Sequence, residues 1–176
     1  NVAHKLAELQ RLSAPYVLVI IHVNDRVLVL GRYVIVIKEL GADIGLEWDR
    51  KKMILEDVCT RTTLWNTIFR RGLNGRAFAN DPDVFLLRDN NMTMGFTQRK
   101  ISATVNHIFG SLLFTSDNVG DYNDEKMDVL MHVFNNGRPE LISAEFITKD
   151  LIEISYLEDG EKKRICFDST TGELMP

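Results

Sequence analysis

Asn80-Asp81-Pro82-Asp83-Val84-Phe85-Leu86-Leu87-Arg88-Asp89-Asn90 is the stretch on which the reading of this 176-residue chain turns. Its four consecutive apolar residues, Val84–Leu87, are framed by turn-forming Asx and Pro residues and predict a short strand buried on both faces. The pattern repeats outward in both directions. Upstream, Val34-Ile35-Val36-Ile37 leads into Gly41-Ala42-Asp43-Ile44-Gly45-Leu46-Glu47-Trp48; downstream, Leu112-Leu113-Phe114 runs into Thr115-Ser116-Asp117-Asn118. Amphipathic helical patterns lie between the runs. Parallel strands joined by helices predict an α/β fold, and a (β/α) barrel places its chemistry where its strands end. Carboxylates gathered at such ends suit acid/base work on a neutral, hydroxyl-rich substrate.

The helices are read from 3.6-residue spacing. Val2, Leu6, Leu9 and Leu12 predict a helix over residues 2–13, and Ile54, Val58, Trp65, Ile68 and Phe69 predict one over 50–71 that stops at Gly72. Thr97 is the expected cap of a helix carrying Ile101, Val105, Ile108 and Phe109 inward. Asn123 is the expected cap of another, with Asp124 and Glu125 in its first turn and Met127, Leu130, Val133 and Phe134 as its buried stripe. Val17–Val23, Val27–Leu30 and Tyr33–Ile37 read as strands, and Asn24-Asp25 suggests a hairpin between the first two. Beyond Asn135-Asn136-Gly137-Arg138-Pro139 the period falls to two. Ile152, Ile154 and Tyr156 alternate with charges, Asp159-Gly160 is a hairpin turn, and Ile165 and Phe167 alternate on the return strand. The boundary therefore falls near residues 136–139, dividing residues 1–137 from a small antiparallel β module at 138–176.

Composition excludes several classes of function. The hydrophobic fraction of 45% supplies a core, while the net charge of −4 and the absence of a basic run argue against a nucleic-acid surface. No uninterrupted apolar run reaches the length of a membrane span, and no signal peptide is legible. Cys59 and Cys166 are isolated, which points to free thiols in a reducing, cytoplasmic setting. The four histidines lack H-E-x-x-H spacing, so no metal site and no cofactor is expected; G-x-x-x-x-G-K-[ST] and G-x-G-x-x-G are absent as well.

Each acidic cluster has an ordinary explanation. Loops are polar, Asn-Asp-Pro-Asp starts turns, and Ser116-Asp117-Asn118 suits a helix cap. Their recurrence on successive strand–helix units gives the functional reading its weight. Trp48, close after Asp43, has the flat face that stacks on a sugar ring.

Four stretches carry a resemblance: Gly41-Ala-Asp-Ile-Gly-Leu-Glu-Trp-Asp49, Trp65-Asn-Thr-Ile-Phe-Arg-Arg71, Gly75-Arg-Ala-Phe-Ala-Asn-Asp-Pro-Asp-Val-Phe-Leu-Leu-Arg88 and Phe109-Gly-Ser-Leu-Leu-Phe-Thr-Ser-Asp-Asn118. Together they resemble the glycoside hydrolase family 36 α-galactosidases, from about Gly41 to about Gly172. The resemblance implies the C-terminal part of a (β/α)8 TIM-type barrel followed by an antiparallel β domain. It implies Asp43 as general acid/base, with Trp48, Asp81 and Asp117 contacting an α-galactoside. It further implies a nucleophilic Asp on an earlier strand, upstream of Asn1. A retaining glycosidase needs these two carboxyl groups about 5–5.5 Å apart.

Two departures accompany the likeness. Residues 16–40 do not follow the family pattern, and Glu39 stands where the family carries an arginine. The first expectation is thus a fragment of a retaining α-galactosidase, without turnover of its own, that self-associates or joins a missing barrel half to cover its open edges. The alternative is a non-catalytic carbohydrate-binding or scaffold module derived from such a hydrolase.

Overall fold

A computed structural model describes residues 19–23, 26–30, 37–39, 47–49, 59–74 and 79–176, the backbone alone for residues up to 39 and for Leu73. The expected helix at 2–13, the strand residues 33–36, and Asp43 lie outside the described residues.

The described strands ahead of the β module are short. β1 (Val19–Val23) and β2 (Arg26–Leu30) form the expected antiparallel hairpin, with Val23 opposite Arg26. β3 (Ile37–Glu39) runs parallel to β4 (Ala79–Asp81), with Glu39 the register partner of Asp81. β5 (Leu113–Thr115) runs parallel to β1. A lone parallel bridge joins Val84 to Phe114.

The run Val84–Leu87 is not the regular strand that its apolar character predicts. Beyond that bridge the backbone groups of Leu87 and Arg88 are taken by side chains rather than by a ladder. The amides of Leu87 and Arg88 donate to Asp117 Oδ2 at 2.5 and 2.9 Å, and the carbonyls of both residues accept from the buried guanidinium of Arg99. Phe85 N donates to Phe114 O at 2.9 Å. The regular strand lies earlier, at β4. Asp83 then turns the chain with φ 65°, a region that Asp tolerates better than most residues.

Three helices follow from the expected patterns, with shifted ends. α1 spans Thr60–Phe69 and starts after an extended Cys59, so no single helix runs over 50–71. It ends before Gly72, and Phe69 is exposed rather than buried, stacking on Phe146 at 4.7 Å. α2 (Phe96–Phe109) is capped at Gly95 rather than Thr97; Gln98 Oε1 reaches back to accept from Gly95 N at 2.8 Å. α3 (Asp124–Asn135) begins as expected, Asn123 Oδ1 accepting from Lys126 N at 3.0 Å.

Beyond α3, β6 (Glu140–Phe146), β7 (Leu151–Glu158) and β8 (Glu161–Asp168) form one antiparallel sheet. Asp159 and Gly160 both take positive φ, the backbone of a two-residue hairpin turn whose twist matches the strands. The sheet does not enclose a core of its own. Ala144, Ile152, Ile154, Tyr156 and Phe167 pack with Leu64 and Ile68 of α1 and with Ile101, Val105, Ile108 and Phe109 of α2. On the other side of α2, Ala103 joins Phe85, Leu87, Leu113 and the Leu130, Val133 and Phe134 stripe of α3. α2 is therefore shared between two apolar layers, each fully buried large side chain contributing roughly 1.5–3 kcal/mol. The chain is a mixed α/β protein with a three-stranded antiparallel sheet. No helix among the described residues is long and apolar enough to cross a membrane.

Candidate functional site

Of the four residues picked out by sequence, Asp43 lies outside the described residues and the other three serve different surroundings. Trp48 is only 5% exposed. Its indole N–H donates to the Ser169 carbonyl at 3.0 Å, its ring meets Phe167 edge-on at 6.2 Å, and Gly172 presses on its six-membered ring. That is a core position joining the segment at 47–49 to the β module, in place of the open stacking face expected of it.

Asp117 is 1% exposed and holds backbone. Besides the amides of Leu87 and Arg88, Oδ2 accepts from the Tyr122 hydroxyl at 2.6 Å, while the Arg88 guanidinium stands 3.5 Å from Oδ1. Burial and the adjacent carboxylate together push the Tyr122 phenol well above its ordinary range. This carboxylate works as a bracket that ties the 84–88 segment to the loop after β5.

Asp81 is the residue with the most suggestive environment. It sits half-buried at the carboxyl end of the parallel pair β3–β4, and Oδ1 accepts from Asp83 N at 2.9 Å. Burial raises its pKa, the Asp83 amide opposes the rise, and the Asp83 charge adds to it. Beside it, Asn80 is fully buried, and among the described residues neither atom of its side-chain amide has a hydrogen-bond partner. A buried amide with both groups unmet costs free energy unless something fills the space in front of it. Gly110 packs the turn from behind: a Cβ there would stand 2.6 Å from the Asn106 carbonyl and 2.8 Å from Pro82 Cγ.

A second constellation was not expected from the sequence. His107 in the last turn of α2, His132 in the last turn of α3 and Glu158 at the end of β7 converge at the hairpin end of the sheet's central strand. His107 Nε2 lies 2.9 Å and His132 Nε2 3.3 Å from the same oxygen, Glu158 Oε1, and Lys163 Nζ of β8 lies 2.7 Å from Oε2. Glu158 is 3% exposed and His107 is buried, whereas His132 is 45% exposed at the solvent side. Burial depresses the His107 pKa against the opposing pull of Glu158, so the ring is neutral at neutral pH. Lys163 and the two imidazoles hold the Glu158 carboxyl below its usual range despite burial. Spacing concealed this cluster, because its members come from three elements far apart in sequence. The legible trace was a histidine in the last turn of α2 and another in the last turn of α3.

No family model matches the chain, and no curated protein matches it.

Proposed function

We propose that the chain is the C-terminal part of a (β/α)8-type glycoside hydrolase barrel with its antiparallel β domain. The parent activity in this reading is retaining hydrolysis of terminal α-galactosides, with Asp43 as general acid/base and Asp81 at the substrate. The observation that carries the reading is the environment of Asp81. A carboxyl whose pKa burial raises, at the carboxyl end of parallel strands, is the kind of group that acid/base chemistry on a sugar uses. The amide of Asn80 alongside it, without a partner among the described residues, is the kind of group that meets a sugar hydroxyl. The parallel pairs β3–β4 and β1–β5 support the barrel reading, while the antiparallel β1–β2 hairpin departs from it within the same residues 16–40 that depart from the family pattern.

The alternative, a non-catalytic module on an inherited hydrolase framework, is favoured by a separate observation. Trp48 and Asp117 are both consumed by packing and backbone bonds, and Glu39, of charge opposite to the family's arginine, is the register partner of Asp81.

Galactose titrated into the isotopically labelled chain, followed by amide NMR, separates the two. The hydrolase reading expects shifts at Asn80–Asp83 that Asp43→Asn and Asp81→Asn both weaken. A chain that gives no galactose-dependent shift supports the scaffold. Hydrolysis of an α-galactoside that survives Asp43→Asn removes the role given to that residue.

A further inference from the structure

We infer that His107, His132 and Glu158 form a binding site for a divalent transition-metal ion of the zinc type, separate from the strand-end carboxylates. The donor atoms are Nε2 of both histidines and Oε1 of the glutamate. All three lie within 4.8 Å of one another, with Glu158 Oε1 2.9 Å and 3.3 Å from the two nitrogens. Zinc takes nitrogen at about 2.0–2.1 Å and carboxylate oxygen at about 2.0–2.2 Å, which separates neighbouring ligand atoms in a tetrahedral site by roughly 3.3–3.5 Å. Both nitrogen–oxygen distances are close to that value, and the two nitrogens, within 4.8 Å of each other, close on the ion by side-chain rotation. Two imidazoles and one carboxylate are also the donor set that borderline metals prefer over magnesium or calcium.

The surroundings supply what ligands of this kind require beyond the ion itself. The Val133 backbone lies beside the His107 ring, and the Asn136 side-chain amide lies 3.0 Å from His132 Nδ1. With the metal on Nε2, each ring carries its proton on Nδ1; the Asn136 amide, whose orientation can turn, accepts from His132 there. Lys163 occupies Oε2 and leaves Oε1 to the ion. The three ligands come from α2, α3 and β7, so the ion cross-links the two helices to the sheet. His132 faces solvent, which provides the access route and leaves a fourth position for water or an exogenous donor.

The competing account is a metal-free polar cluster in which both rings donate to a buried carboxylate. The two differ in a direct measurement. The purified chain is stripped with a chelator and titrated with Co2+, whose visible absorption reports tetrahedral coordination and whose near-ultraviolet band reports thiolate. The inference expects one equivalent per chain with the tetrahedral visible bands and no thiolate band. It expects His132→Gln, at an exposed position that leaves the fold intact by circular dichroism, to weaken binding by at least about tenfold. It expects Zn2+ to raise the melting temperature of the parent chain and not that of His132→Gln. Less than one equivalent, a thiolate band from Cys59 or Cys166, or equal affinity in His132→Gln overturns it.

Discussion

Asp117 Oδ2 lies 2.5 Å from the amide nitrogen of Leu87, in the place a neighbouring strand's carbonyl would take in a continued ladder. The same oxygen accepts from Arg88 N and from the Tyr122 hydroxyl. Replacing it strands three donors at once, and each buried unmet donor costs about 1–3 kcal/mol. Asp117→Ala is expected to lower stability by about 3 kcal/mol or more in urea denaturation. Asp117→Asn keeps one acceptor oxygen and is expected to lose about half as much.

Gly172 and Gly160 both take positive φ, 68° and 79°, but only the first is crowded. A Cβ at Gly172 would stand 2.7 Å from the Trp48 ring and from Gln98 Cγ, whereas nothing lies within 4 Å of one at Gly160. Gly160→Ala therefore meets the backbone cost alone, about 1–2 kcal/mol. Gly172→Ala adds overpacking of roughly 1–3 kcal/mol. Thermal denaturation should rank the two variants in that order, and near-ultraviolet dichroism of Trp48 should change only for Gly172→Ala.

Helix capping offers a paired test of a corrected expectation. Asn123 holds the Lys126 amide, so Asn123→Ala is expected to cost about 1 kcal/mol. Thr97 lies inside the first turn of α2, with Gly95 as the cap, and Thr97→Ala is expected to fall within about 0.5 kcal/mol of the parent. A larger loss at Thr97 than at Asn123 would contradict both placements.

The His107–Glu158 pair makes stability depend on pH in one direction. The folded chain depresses the His107 pKa, so below about pH 6.5 the unfolded chain binds a proton that the folded chain resists. Stability is full above that range and falls as pH drops toward the depressed value. Glu158, also depressed, adds a second loss at lower pH, beginning within the ordinary carboxylate range and continuing down to its depressed value. In metal-free buffer, urea midpoints are expected to fall between about pH 7 and pH 5. His107→Gln should flatten the upper part of that slope, since it removes the titrating ring.

How far the sequence could be read depended on how local each cause was. The β7–β8 hairpin was legible because Asp159-Gly160 supplies its own turn geometry and the flanking residues alternate. The cap at Asn123 and the buried stripes of α2 and α3 were legible for the same reason. Val84–Leu87 misled because an apolar run reports burial and says nothing about which groups satisfy its backbone. Trp48 misled because an aromatic near acids reads alike whether its face meets a ligand or Phe167 and Gly172. The histidine cluster showed only as two helix-end histidines, since its assembly needs α2, α3 and β7 side by side.

By itself the sequence determined the periods, caps and turns, and with them a chain of short strands and amphipathic helices ending in an antiparallel sheet. Those properties rest on interactions over a few residues. The tertiary structure alone decided that the sheet shares its core with α1 and α2, that Asp117 and Arg99 replace a ladder, and that His107, His132 and Glu158 meet. Each of these depends on contacts between segments distant in the chain, whose partners are chosen by packing and burial rather than by any neighbouring residue.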